Sequence, residues 1–183
     1  MKIDAIWQPE NQQRIFRALM EAMARPGSLH SLDAWLDGAR SYRGVLASLL
    51  DAGTTLSDCH DLLEPNDWPL LQARQEITEK ADYLLCQGSA HPNGSPKVGS
   101  LSCPDQSATL LIQVENLGNG GSSLMLQGPG IQSTCSLEVS GLEPAWLELR
   151  EEYISFPLGI DCILLDQKNI TAIPRTTKVK VLS

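Results

Sequence analysis

The sequence has no apolar run approaching the roughly 18–20 residues that span a bilayer. Its first residues, MKIDAIWQPENQQR, are polar and lack the apolar core of a secretory signal. No membrane partner is expected, and the expected location is cytoplasmic. Basic residues are also in short supply: 14 Lys and Arg face 22 Asp and Glu, for a formal net charge of −8 and a pI near 4.8. With no Lys/Arg run to form a local patch, such a chain repels a phosphate backbone, so nucleic acid is not an expected partner. Cysteine is sparse and scattered. Cys59, Cys86, Cys103, Cys135 and Cys162 include no CxxC pair, and an odd, dispersed set argues for reduced thiols rather than a disulfide framework. Cys86 and Cys162 fall inside the apolar runs YLLCQG and IDCILL, where a thiol packs as a small hydrophobe. None of the six lysines lies in an apolar, core-like run, the desolvated setting that a Schiff-base lysine needs. Pyridoxal phosphate and aldolase-type chemistry are therefore disfavoured.

What is present is the composition of a globular protein, 42% hydrophobic and 20% charged, at a length that suits one domain over residues 1–183. QQRIFRALMEAMARPG places Ile15, Phe16, Leu19, Met20 and Met23 on one helical face and stops at Pro26-Gly27. YRGVLASLLDAG reads as a second helix ending at Gly53. NDWPLLQARQEITEK reads as a third, with Asn66 or Asp67 as cap and Pro69 in its first turn, and LEPAWLELREEY as a fourth. ADYLLCQG, ATLLIQVENL, SSLMLQG, IDCILL, NITAIP and TKVKV are short apolar runs bounded by turn residues, hence strands. Mixed helices and strands, with several strands joined by short turns, predict an α/β fold with a mixed sheet. The stretch from about Gly88 to Asp105, rich in Gly, Ser and Pro, is expected to be a long mobile loop within that sheet rather than a linker.

Few residues suggest chemistry. DCHD, Asp58 to Asp61, has the residue types of a metal site or a Cys-His pair, yet adjacent residues on a strand or helix diverge, so a polar loop is the expected reading. LGNGGSS could cradle phosphate only with a helix N-terminus behind it; strand-like flanks predict a hairpin turn between Val114 and Leu124 instead. QGPGI is read as a stiff turn at a strand end, with some scope for close backbone approach to a ligand or partner. His30 and His91 are isolated. No metal site, no catalytic residue and no cofactor is expected.

The most informative stretch is FPLGIDCILLDQKNITAIPRTTKVKV, Phe156 to Val181. Asp166 and Asn169 suit a turn, so IDCILL and NITAIP should form an antiparallel hairpin. A three-residue loop over Gln167–Asn169, with Asn169 left-handed, would set residue 161 opposite 175. The PLG before the first strand and the PRTT after the second then lie at one end, built on prolines of fixed φ. There Asp161 meets Arg175. The pair is either a salt bridge locking the hairpin base or an arginine held for a phosphate or a partner's carboxylate. Pro174, Thr176, Pro157 and Gly159 surround it as binding or interface candidates. Arg25, beside its own Pro-Gly, is the best candidate for a second converging cation.

FPLGID followed by AIPRTT, with FRALMEAMARPG near the start and ATLLIQV…LMLQGPGI between, resembles the PhnH family, a subunit of the bacterial carbon–phosphorus lyase complex. The resemblance runs from about Gln13 to Val181 and is weakest from about Gly88 to Asp105. It implies a three-layer α/β/α sandwich similar to the large domain of pyridoxal-phosphate-dependent transferases, without the cofactor. It implies a cytoplasmic homodimer that joins the PhnG, PhnI and PhnJ subunits in organophosphonate catabolism. In the step it supports, an alkylphosphonate displaces adenine from ATP to give a ribose 1-alkylphosphonate 5-triphosphate. The absence of a four-cysteine cluster excludes this chain as the iron–sulfur subunit of such a complex. Two roles are left open: an accessory assembly subunit, or a subunit that itself holds a phosphonate or nucleotide through Arg175.

Overall fold

The structure, a computed structural model, describes residues 4–182. Among these residues the chain forms ten strands: β1 (His30–Ser31), β2 (Thr55–Asp58), β3 (Arg74–Gln75), β4 (Tyr83–Gln87), β5 (Thr109–Gln113), β6 (Asn116–Gln127), β7 (Cys135–Ser140), β8 (Asp161–Leu165), β9 (Asn169–Ile173) and β10 (Lys178–Leu182). Five α-helices accompany them: α1 (Pro9–Ala24), α2 (Asp33–Leu36), α3 (Ser41–Leu49), α4 (Asp67–Leu71) and α5 (Ala145–Tyr153). Seven strands make one sheet in the order β1-β9-β8-β5-β4-β2-β3, and the other three a second sheet in the order β10-β6-β7. In the large sheet β3, β2, β4, β5 and β8 run parallel while β9 and β1 pair antiparallel at one edge. The fold is α/β with a mixed sheet, as the sequence implies.

The central strands are apolar through their middle residues because both faces are covered there. Leu85, Leu111, Ile163 and Leu165 point into a core shared with Ile15 and Leu19 of α1 and Val45 and Leu46 of α3. Leu84, Cys86, Leu110, Ile112, Cys162 and Leu164 point the other way, onto Leu124, Leu126, Leu137 and Val139 of the small sheet and Trp146 of α5. There are three layers, and the layer opposite α1 and α3 combines one helix with a three-stranded sheet.

Helix α1 starts with Pro9, whose missing N–H costs nothing in the first turn, and ends at Arg25-Pro26. Its buried residues are Ile15, Ala18, Leu19 and Ala22. The expected apolar face is thus rotated, because the alanines let α1 approach the sheet closely and turn Phe16 and Met20 outward, 44% and 58% exposed.

Two expected elements differ. The helix over NDWPLLQARQEITEK lasts only through Asp67–Leu71: Gln72 takes a left-handed conformation, and Arg74–Gln75 adds to the sheet edge beside Thr55 and Leu56. Neither Asn66 nor Asp67 caps it by a side-chain bond; the Asp67 carboxylate instead accepts Nε and Nη2 of Arg43 at 2.9 and 2.7 Å. The hairpin expected between Val114 and Leu124 does not form. Strand β5 belongs to the large sheet and β6 to the small one, with the crossing made where Val114 N donates to Leu165 O and Glu115 N to Ser140 O. The glycines of LGNGGSS lie inside β6, as a bulge in which Leu117 and Ser122 both face Val139.

Candidate functional site

Strands β8 and β9 are antiparallel neighbours, paired Cys162 to Ile173, Ile163 to Ala172, Leu164 to Thr171 and Leu165 to Ile170. This register sets residue 161 opposite 174 rather than 175. The three-residue loop with a left-handed Asn169 is replaced by a turn built on Asp166, whose Oδ1 accepts Lys168 N at 2.8 Å and Asn169 N at 2.7 Å. Arg175 nevertheless reaches Asp161. The strand ends at Pro174, a turn closes by Thr177 N donating to Pro174 O at 2.9 Å, and strand alternation no longer directs the side chain.

Asp161 and Arg175 make a dense contact. Arg175 N donates to Asp161 Oδ1 at 2.7 Å, Nη2 to Oδ2 at 2.5 Å, and Nε to both oxygens at 3.3 and 3.2 Å. Nη1 donates to Pro104 O at 2.7 Å and Nη2 also to Ser107 Oγ at 2.5 Å. The two side chains are 16% and 15% exposed. One guanidinium therefore ties three segments: the base of β8, the turn after β9, and the end of the 88–105 loop. That loop has further anchors, with Lys97 Nζ paired to Asp82 and Trp146 Nε1 donating to Ala90 O at 2.8 Å.

A second arginine converges on the same turn, and it is Arg150 of α5, not Arg25. Arg150 is 1% exposed, and its Nη2 donates to Pro174 O at 2.8 Å and Thr177 O at 2.6 Å while Nη1 meets Glu151 at 2.7 Å. Arg25 is exposed and pairs with Glu21 at 3.6 Å. Nothing in LELREE signals that a turn 24 residues later lies over its arginine.

The proline–glycine motifs pack on one another. Pro157 follows a cis bond from Phe156 and is the third residue of a tight turn in which Leu158 N donates to Ser155 O at 2.9 Å. Gly159, at φ 153°, lies where a Cβ would meet Arg175 Cβ at 3.2 Å. Gly130, at φ 83°, is closer still: a Cβ there would fall 2.1 Å from Ala24 O, just before Arg25-Pro26. Gly128 likewise abuts Thr176 and Thr177. The close approach allowed by QGPGI is thus to the chain's own turns. Thr176 is exposed, and with Phe156, Ile154 and Lys178 it lines a shallow groove of about 350 Å³ beside Arg175.

DCHD does not gather into a centre. The Asp58 carboxylate accepts Leu62 N and Leu63 N at 3.0 and 2.8 Å, closing the turn after β2, and His60 Nδ1 accepts Gln87 N at 3.1 Å. Cys59 points instead into the face covered by the small sheet. Among the described residues no group of three or more His, Cys, Asp or Glu is placed to hold a metal ion.

The family described as bacterial phosphonate metabolism protein (PhnH) matches residues 5–180, a span that contains all four motifs. The chain belongs to the PhnH family. It is 38% identical over 178 residues to a protein of Stutzerimonas stutzeri proposed to be the C-P lyase subunit HtxG, covering 96% of this chain and 89% of that one. It is 29% identical over 180 residues to the alpha-D-ribose 1-methylphosphonate 5-triphosphate synthase subunit PhnH of Rhizobium meliloti strain 1021, covering 92% of this chain and 90% of that one. Among the described residues of this PhnH-family chain no helix is long and apolar enough to cross a membrane.

Proposed function

We propose that this chain is a non-catalytic, accessory subunit of a carbon–phosphorus lyase core complex. It supports the conversion of ATP and an alkylphosphonate to ribose 1-alkylphosphonate 5-triphosphate in organophosphonate catabolism. Family membership and the names of both relatives support the pathway. The observation that carries the accessory role is the state of Arg175. Its Nε–H, one Nη1 hydrogen and both Nη2 hydrogens are directed at Asp161, Pro104 O and Ser107, which leaves little for an incoming phosphonate or nucleotide. Arg150 is likewise engaged by carbonyls. Asp161, Arg175, Pro174, Pro157 and Gly159 then serve to shape an interface whose exposed elements are Thr176 and Phe156, the latter 77% exposed.

The partners in this reading are PhnG, PhnI and PhnJ, with a second copy of the chain in a homodimer. The outward stripe of Phe16, Met20 and Met23 on α1, bordering an apolar hollow of about 140 Å³ against Tyr83, suits such a subunit contact. Arg25, exposed at the end of the same helix, would flank it. We read residues 1–183 as one cytoplasmic domain whose layers follow the large domain of pyridoxal-phosphate-dependent transferases, with no bound cofactor. Co-expression of the tagged chain with the other core subunits tests the role. Stoichiometric recovery of the complex, and no turnover of ATP with methylphosphonate by the chain alone, are expected; turnover by the pure chain would overturn it.

A further inference from the structure

Cys59 and Cys86 stand 27 positions apart in the chain, yet the sheet makes them neighbours. In the parallel ladder of β2 and β4, Asp58 pairs with Leu85, so the next step sets Cys59 beside Cys86, and Cys59 N donates to Leu85 O at 2.9 Å. Both side chains take the same face: Cys86 belongs to the core under the small sheet and Cys59 packs against it. Cys59 Sγ lies 3.9 Å from Ser57 O, Ser57 Oγ and Thr78 Oγ1. Adjacent strands are about 4.8 Å apart, inside the roughly 4.4–6.8 Å Cα range that a disulfide bridges. Their accessibility differs, with Cys86 at 0% exposure and Cys59 partly exposed. A partly exposed cysteine beside a buried one on the neighbouring strand has the arrangement of an attacking and a resolving cysteine.

We propose that Cys59 is an oxidation site whose reaction with a hydroperoxide ends in a Cys59–Cys86 disulfide. The Cys59 thiolate attacks the peroxide oxygen, the O–O bond breaks, and Cys59 becomes a sulfenic acid while the leaving oxygen departs as an alcohol or water. Cys86 Sγ then attacks the Cys59 sulfur and the S–O bond breaks. The departing hydroxide takes the Cys86 proton and leaves as water. Two thiols lose two electrons and two protons, and one hydroperoxide is reduced. The surroundings favour this order of events. The hydrogen bond with Cys86, aided by Ser57 and Thr78 and opposed by burial, lowers the Cys59 thiol to about 7, so much of it is thiolate at neutral pH. Contact with Cys59 and burial push Cys86 upward, keeping it neutral until the first step is complete.

The test is to add one equivalent of hydrogen peroxide to the reduced full chain, count thiols and map peptides by mass spectrometry. Titratable thiols should fall from five to three, with a Cys59–Cys86 cross-linked peptide about 2 Da lighter than its parts that dithiothreitol reverses. The Cys86→Ala variant should stop at a Cys59 sulfenic acid captured by dimedone, and Cys59→Ser should leave Cys86 reduced. Oxidation of Cys103 or Cys135 with Cys59 still reduced would overturn the proposal. So would an oxidised Cys59 beside a free Cys86. The wild-type peptide map decides the matter if either variant fails to fold.

Discussion

Replacing Arg175 with alanine removes one side chain from three segments at once. The guanidinium bonds to the Asp161 carboxylate, the Pro104 carbonyl and the Ser107 hydroxyl. Hydrogen bonds to charged groups contribute about 1.5–3 kcal/mol each, and bonds sharing one side chain do not add fully. Asp161 would keep the bond from residue 175 N, which softens the loss, but would sit 15% exposed without its countercharge. The expected cost is about 3–4 kcal/mol. For a chain of this length, at about 2–4 °C per kcal/mol, that lowers Tm by about 6–16 °C. Asp161→Asn, which keeps an acceptor of the same shape, should cost about 2 kcal/mol. The double variant should cost little more than Arg175→Ala alone, and hydrogen exchange in residues 97–107 should accelerate because that segment loses its tie. An Arg175→Ala Tm within about 2 °C of wild type, or single-variant losses that simply sum, would refute the account of the lock.

Gly130→Ala, which puts a Cβ 2.1 Å from Ala24 O, should destabilise by more than about 2 kcal/mol. Gly120→Ala, at a similar φ of 72° with nothing within 4 Å, should cost only about 1 kcal/mol in the same denaturant titration. Arg150→Met should cost about 3 kcal/mol or more, since the carbonyls of Pro174 and Thr177 lose their donor in a buried place; a melting curve matching wild type would show that the turn needs no anchor. Alkylation of Cys59 by iodoacetamide should rise as pH increases through about 7 and level off above it, because only the thiolate reacts. A rate still climbing steeply above pH 9 would contradict the lowered thiol.

The β8–β9 hairpin was legible because two apolar runs flank a turn carrying Asp166 and Asn169, all local information. The Asp161–Arg175 contact was legible too, although the loop count was one residue off: Pro174 ends the strand, and the free turn returns Arg175 to the carboxylate. Less local features were hidden. Strand β3 is two exposed residues inside a helix-like segment, and it exists only because Thr55 and Leu56 offer an edge beyond the left-handed Gln72. The glycines at 118–121 read as a hairpin turn, since nothing in them tells that Val139 waits on both sides of a bulge. Arg150 and the Cys59–Cys86 neighbourhood depend on which elements the sheet order brings together, and strand order is not written in spacing.

On the function proposed above, the chain works by joining a complex rather than by chemistry of its own. The most direct measurement is quantitative co-purification of the tagged chain with PhnG, PhnI and PhnJ, coupled to an assay of ATP and methylphosphonate turnover with and without it. A stoichiometric complex, activity that requires the chain, and no activity from the chain alone are expected. A chain that stays outside the complex, or that turns over substrate in isolation, would contradict it.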